Sequence, residues 1–169
     1  MKRIIPLFLV FSLLSCSKED SEPMLVDGEF NEYLVEIFEN DIDMTQTNKF
    51  SASNIVGEWI PEKASLETYV DGELTESKDI SFNEKKISFY KWGTMMLSST
   101  TGRWTYSHNF LIYQFDNSDG GYAYEVMASS SSILVLRDED FPLGVKWTPF
   151  YRDKSGKHNF YVTEYRKVK

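Results

Sequence analysis

Two histidines, one cysteine and a run of three acids are the side chains with which this chain of 169 residues could do covalent or acid–base chemistry. Neither His108 nor His158 has a second histidine, a cysteine or a carboxylate at the short spacing that a zinc site favours. Both read as surface histidines near turns. Asp116-Asn117-Ser118-Asp119-Gly120 has the composition of a calcium loop without its spaced ligands and twelfth-position glutamate, and so reads as a hairpin turn. Asp138-Glu139-Asp140 could chelate a cation or supply acids to a surface hydrolase, but adjacent acids ordinarily form a solvated loop. No nucleophile elbow, phosphate-binding loop or dinucleotide fingerprint is present. The expectation is a protein with no catalytic residue, metal or cofactor. Recognition chemistry is better represented, by aromatic side chains placed near turns: Tyr90 and Trp92 at one strand end, and Trp147, Phe150 and Tyr151 around Pro149. Such rings stack on sugars or grip apolar ligands. Met95 and Met96 beside Gly93 could line an adaptable rim or belong to the core.

The elements that must carry these side chains are mostly strands. From Ile55 onward, short runs rich in Val, Ile, Thr and aromatics alternate with Gly, Asn, Asp and Ser clusters. Strands are expected near residues 55–61, 64–70, 73–82, 85–91, 102–106, 110–116, 121–128, 132–137, 145–151 and 159–168. Asp71-Gly72 is a strong hairpin signal, with weaker ones at Asn83-Glu84, Ser107-His108-Asn109, Asp119-Gly120 and 154–157. Turns this short exclude parallel crossovers, so the strands form an antiparallel up-and-down meander. A long meander leaves two unpaired edges unless it closes into a barrel. In residues 159–165 Phe160, Val162 and Glu164 share one face while Tyr161, Thr163 and Tyr165 share the other, as in small barrels whose interior mixes aromatic and polar groups. Ahead of the strands, Phe30, Tyr33, Leu34, Ile37 and Phe38 have the spacing of one helix face, predicting one short helix over Gly28 to Glu39.

The N-terminus has its own organisation. Lys2-Arg3 precedes the apolar run Ile4 to Leu14, which is too short to span a bilayer but has the anatomy of a secretory signal. Leu13-Leu14-Ser15-Cys16 resembles the bacterial lipobox, in which the chain is cut before a cysteine whose sulfur carries diacylglycerol. Ser17-Lys18-Glu19-Asp20 resembles the tag that sends Bacteroidota lipoproteins to the outer face of the outer membrane. The expectations are a signal peptide over 1–15, lipid attachment at Cys16, a flexible tether over 16–27, and display on the cell exterior. Acyl chains of the palmitate class would then be the only membrane contact. Loss of residues 1–15 removes two bases and no acid, leaving the net charge of −8 two units more negative. That balance excludes nucleic acid, whose binding needs clustered Lys and Arg. With one cysteine, no disulfide can form within the chain.

Gly57-Glu58-Trp59 at the first strand, Gly102-Arg103-Trp104 in mid-chain and Tyr165-Arg166-Lys167-Val168 at the end resemble a lipocalin-type barrel, in particular the lipocalin-like domains of Bacteroidota lipoproteins. The resemblance covers roughly 55–169, with helix and connector over 28–54. It implies that Trp59 closes one barrel end beneath a basic side chain of the last strand, Arg166 or alternatively Lys167, worth about 0.5–2 kcal/mol as a cation–π contact. It also implies a small hydrophobic or amphipathic ligand in the barrel interior, with no ligand residue carried over. The resulting expectation is a non-catalytic, lipid-anchored binding protein. The alternative is a surface interaction module whose loops, chiefly Trp147 to Tyr151, bind a glycan or a protein partner in an outer-membrane assembly.

Overall fold

A computed structural model describes residues 34–82, 85–118, 121–140 and 152–169. Cys16, the signal and tether, most of the expected helix and the expected strand over 145–151 lie outside the described residues. Within them, residues 34–37 are helical and Ala52–Ile55 forms one helical turn, capped by the hydroxyl of Ser51. Nine strands follow: β1 Gly57–Val70, β2 Glu73–Asp79, β3 Ile87–Phe89, β4 Thr94–Leu97, β5 Thr100–Ser107, β6 Phe110–Phe115, β7 Gly121–Ser129, β8 Ile133–Glu139 and β9 Lys157–Lys167.

All pairings are antiparallel between chain neighbours, except where β1 closes the circle. One edge of β1 pairs with β9 from Trp59↔Lys167 to Val70↔Lys157. Its other edge is shared, Gly57 to Trp59 pairing with β3 and Ser65 to Val70 with β2. The result is a closed eight-stranded barrel, a lipocalin-like fold, with β2 as an extra strand beside β1. Every residue of β2 is exposed, and Glu73, Glu76, Lys78 and Asp79 make it a charged ribbon that resists edge-to-edge pairing.

Two sequence expectations are corrected. The runs over 55–61 and 64–70 are one strand, bent rather than broken by the register shift between Pro61 and Lys63. The segment Thr94–Leu97 is a strand, β4, with Met95 buried and paired with Gly102. Turn chemistry sets the joins. Asp71 and Gly72 both have positive φ, as do His108 and Asn109, the backbone that a two-residue hairpin between right-twisted strands needs.

Side-chain parity along the ladders assigns the two wall faces. Trp59, Ile87, Phe89, Met95, Trp104, Tyr106, Leu111, Tyr113, Val126, Leu134, Leu136 and Tyr165 form the interior core, with Ile55 plugging it from below. The outward residues of β6 at its start do not face water. Phe110 and Ile112 join Leu34 and Ile42 in a second core on the outer wall, with Phe38 and Ala123 against it. Burial of Phe110 to Tyr113 on both faces is why β6 reads as a continuous apolar run. Ile37, on the expected apolar helix face, is instead exposed over about two-fifths of its surface.

Candidate functional site

The closed end is built by β1, β3 and β9. Trp59 is fully buried and its indole N–H donates to the Ile55 carbonyl at 2.7 Å, tying the helical turn to the barrel floor. The cation over that indole is Lys167, its Nζ 5.0 Å from the ring centroid. Arg166 is not the partner: it points outward and its Nε donates to Glu62 at 3.1 Å. Register explains the difference, because Trp59 pairs directly with Lys167 whereas Arg166 pairs with the exposed Ile60. Gly57 adopts φ +142°, and a Cβ there would lie 2.2 Å from Lys167 Cε. Its missing side chain is what lets the lysine lie across the indole. Desolvation lowers the Lys167 ammonium below its ordinary value. This end is a closure, with no open site.

From Trp104 the aromatic side chains form a ladder running toward the other end. Trp104 meets Phe89 edge-on at 5.3 Å between centroids, and Phe89 meets Tyr113 at 6.4 Å. Tyr113 stacks on Tyr124 at 5.8 Å and Tyr124 on Tyr122 at 6.1 Å, with interplanar angles of 19° in both pairs. Phe115 closes on Tyr113 and Tyr122 in edge contacts at 5.6 and 6.2 Å. Tyr122 is 47 % exposed, and Tyr161, which shares the inward face of β9 with Tyr165, is 42 % exposed. These two rings mark the open mouth. Asp138 points inward beside them, paired with Tyr161. Burial first, and then Tyr113, Asp138 and Tyr165, push the Tyr124 phenol far above its usual range, so it stays a neutral hydroxyl. The mouth therefore offers stacked ring faces, phenolic hydroxyls and one carboxylate.

The other sequence candidates are dispersed. Tyr90 and Trp92 sit on the β3–β4 turn at the closed end, where the Tyr90 carbonyl accepts from the Trp104 indole at 3.0 Å and Trp92 is 72 % exposed. Trp147, Phe150 and Tyr151 lie outside the described residues. His158 is not a surface histidine: it is buried, with Nδ1 2.7 Å from Glu139 Oε1 and Nε2 3.0 Å from the Ser155 carbonyl. Glu139 accordingly belongs to a strand end and not to a solvated acidic loop. His108 meets the Ser107 hydroxyl at 2.8 Å. Among the described residues, no three His, Cys, Asp or Glu side chains group as metal ligands, and no helix is long and apolar enough to cross a membrane. The tyrosine ladder is not among the sequence candidates, although Tyr113 with Phe115 and Tyr122 with Tyr124 carry a signal in their spacing of two within adjacent strands.

The family comparison agrees with this geometry. Residues 55–136 match the lipocalin-like domain. The match runs from Ile55, the last residue of the helical turn, into β8 and takes in both Gly-x-Trp segments, Gly57 to Trp59 and Gly102 to Trp104. No curated protein and no solved structure matches the chain. A lipocalin-like barrel suggests the binding of small hydrophobic molecules, and the aromatic mouth supplies surface for it.

Proposed function

We propose that this protein is a non-catalytic binding protein that holds a small apolar or amphipathic ligand at the open end of its barrel. The observation that carries the reading is the ladder Tyr113, Tyr122 and Tyr124, stacked and partly exposed where Tyr161 and Asp138 face inward. Trp59, Trp104, Phe89, Met95 and Leu111 fill the closed half, so a ligand meets the mouth rings instead of threading the interior. A flat amphipathic molecule would lay its apolar face on Tyr122 and direct its polar edge to the hydroxyls. Each aromatic contact contributes about 0.5–1.5 kcal/mol beyond area burial. Lipidation at Cys16 and display on the outer face of the outer membrane are part of the proposal, supported by Lys2-Arg3, the apolar run and Lys18-Glu19-Asp20.

The test is a fluorescence and thermal-shift titration of the chain lacking residues 1–15 and carrying Cys16→Ser, against fatty acids, a sterol, haem and bile acids. At least one class should bind, and Tyr122→Ala with Tyr161→Ala should weaken it roughly tenfold, about 1.4 kcal/mol. Silence across the panel refutes the reading. For the anchor, metabolic labelling with a fatty acid should mark the full chain and be lost in Cys16→Ser. A surface interaction module remains the second reading, favoured by Trp92, whose exposure on the closed-end turn serves no packing role. Retention of an outer-membrane component by the wild type but not by Trp92→Ala would support it.

A further inference from the structure

We propose that the outer wall of the barrel carries a second binding site, for a small primary ammonium compound with an apolar or aromatic body. The site is a cavity of about 560 Å³ between residues 38–46 and the outward faces of β6 to β9. That volume falls within the range of small-molecule pockets, roughly 300–1,000 Å³. The cavity reaches the barrel rim, where Tyr122 and Asp138 also line it, but the side chains that form its body, Phe38, Phe110, Glu125, Arg137 and Phe160, lie outside the lumen.

Three features select the ligand. First, the cations of the wall are engaged. Arg137 donates to Glu125 through both Nε and Nη2, and its guanidinium lies 4.6 Å over the Phe160 ring. That leaves the guanidinium a poor anchor for an anion, and Lys154, the other cation lining the cavity, is engaged as well. Second, the rim on residues 41–46 presents acceptors. Asp41 and Asp43 line the cavity, and partial desolvation raises the Asp41 carboxyl against the pull of Arg152. Gln46 donates its amide to Asp43 Oδ2 at 3.3 Å, and its buried Oε1 has no donor among the described residues. An unsatisfied buried acceptor costs about 1–3 kcal/mol, and an N–H brought by a ligand would remove that cost once the Gln46 side chain turns its oxygen into the cavity. Third, Phe38 and Phe110 supply ring surface beside those acceptors, favourable to both an apolar body and a cation. Acceptors without free donors, next to aromatic faces, describe a receptor for an ammonium group.

Phenethylammonium is the probe, compared with phenylethanol and phenylpropionate of similar shape, by calorimetry and amide chemical-shift mapping on the chain carrying Cys16→Ser. Phenethylammonium should bind at millimolar concentration or below, at least about tenfold tighter than either analogue, and shift amides of residues 41–46 and 123–125. Gln46→Leu and Asp41→Asn should each weaken it several-fold, while Tyr161→Ala, at the mouth, should leave it unchanged. Equal binding of the alcohol, no effect of either rim variant, or no binding at millimolar concentration would each overturn the proposal. Because a barrel-mouth ligand responds to Tyr161→Ala and not to Gln46→Leu, failure here is distinguishable from failure of the mouth reading.

Discussion

Asn109 is a small polar residue with no exposure, and replacing it should cost more than any single surface contact of the barrel. Its Oδ1 accepts from the Tyr106 hydroxyl at 2.9 Å, its Nδ2 donates to the Val126 carbonyl at 3.1 Å, and its backbone N–H donates to Asn48 Oδ1 at 2.9 Å. It thus fastens the β5–β6 turn to β7 and to the segment leading into the first strand. It also holds φ at +66°, a region that asparagine tolerates and alanine does not. Asn109→Gly keeps the backbone and deletes the side chain. Two buried bonds at about 1 kcal/mol each, and a Tyr106 hydroxyl left with the weak Phe50 N–H at 3.3 Å, give an expected loss of about 2–4 kcal/mol. Asn109→Ala loses the same bonds and adds left-handed strain of about 1–2 kcal/mol. Urea unfolding of the two variants measures both terms, read as midpoint shifts at constant slope. A glycine variant within about 0.5 kcal/mol of wild type would refute the role of the side-chain bonds, given the spread expected for neutral changes. An alanine variant no worse than glycine would refute the strain argument.

Other outcomes follow from the same geometry. Breaking the mostly buried Glu125–Arg137 pair from one side, by Arg137→Leu, should destabilise by about 3–5 kcal/mol, whereas Glu125→Leu with Arg137→Leu should recover most of it, measured as a double-mutant cycle in urea. Gly102→Ala would place a Cβ 2.3 Å from the Gln114 carbonyl oxygen, so β5 and β6 must separate; amide exchange should show lost protection in both strands. Tyrosines 69, 106 and 124 all titrate above the ordinary phenol value in the folded state, chiefly through burial. Stability from them is complete below the unfolded value near 10 and is lost as pH rises above it. Alkaline unfolding should accordingly begin above that pH and be delayed in Tyr124→Phe, followed by ultraviolet tyrosinate absorbance.

Much of the barrel was legible because period-two patterning and turn residues are local signals. Asp71-Gly72 required positive φ at both positions and formed the β1–β2 turn. The closure was legible only in part. The resemblance names Gly57 and Trp59 with Arg166 ahead of Lys167, whereas the structure sets Lys167 over the indole. The parity needed to choose was present, since Tyr161, Thr163 and Tyr165 share one face, and Lys167 is the next residue on it. The resemblance asks only for a basic side chain on the last strand, and register decides which of two neighbouring bases arrives. β4 was missed for another reason. Its four residues lie between the tight turn at Gly93 and the positive-φ Ser98, too short a run for alternation to show.

The second core was hidden because single-strand patterning cannot say which layer covers a face. Phe110-Leu111-Ile112-Tyr113 has no polar side, and an antiparallel barrel strand with both faces apolar must be covered from outside as well as from within. The cover is residues 34–42, whose Leu34 and Ile42 are fully buried against Phe110 and Ile112. Gly121 shows how close the approach is: a Cβ there would lie 3.0 Å from Phe38 Cζ. The same layer that shields β6 stops short of β8 and β9, where Arg137, Glu139, His158 and Phe160 satisfy one another through ion pairs and ring contact. An apolar cover on one half of a wall and a charged lining on the other leave a space between them that neither fills. The outer cavity thus arises from the way the N-terminal segment docks, and its aromatic and acidic sides are the edges of two different solutions to burying one barrel face.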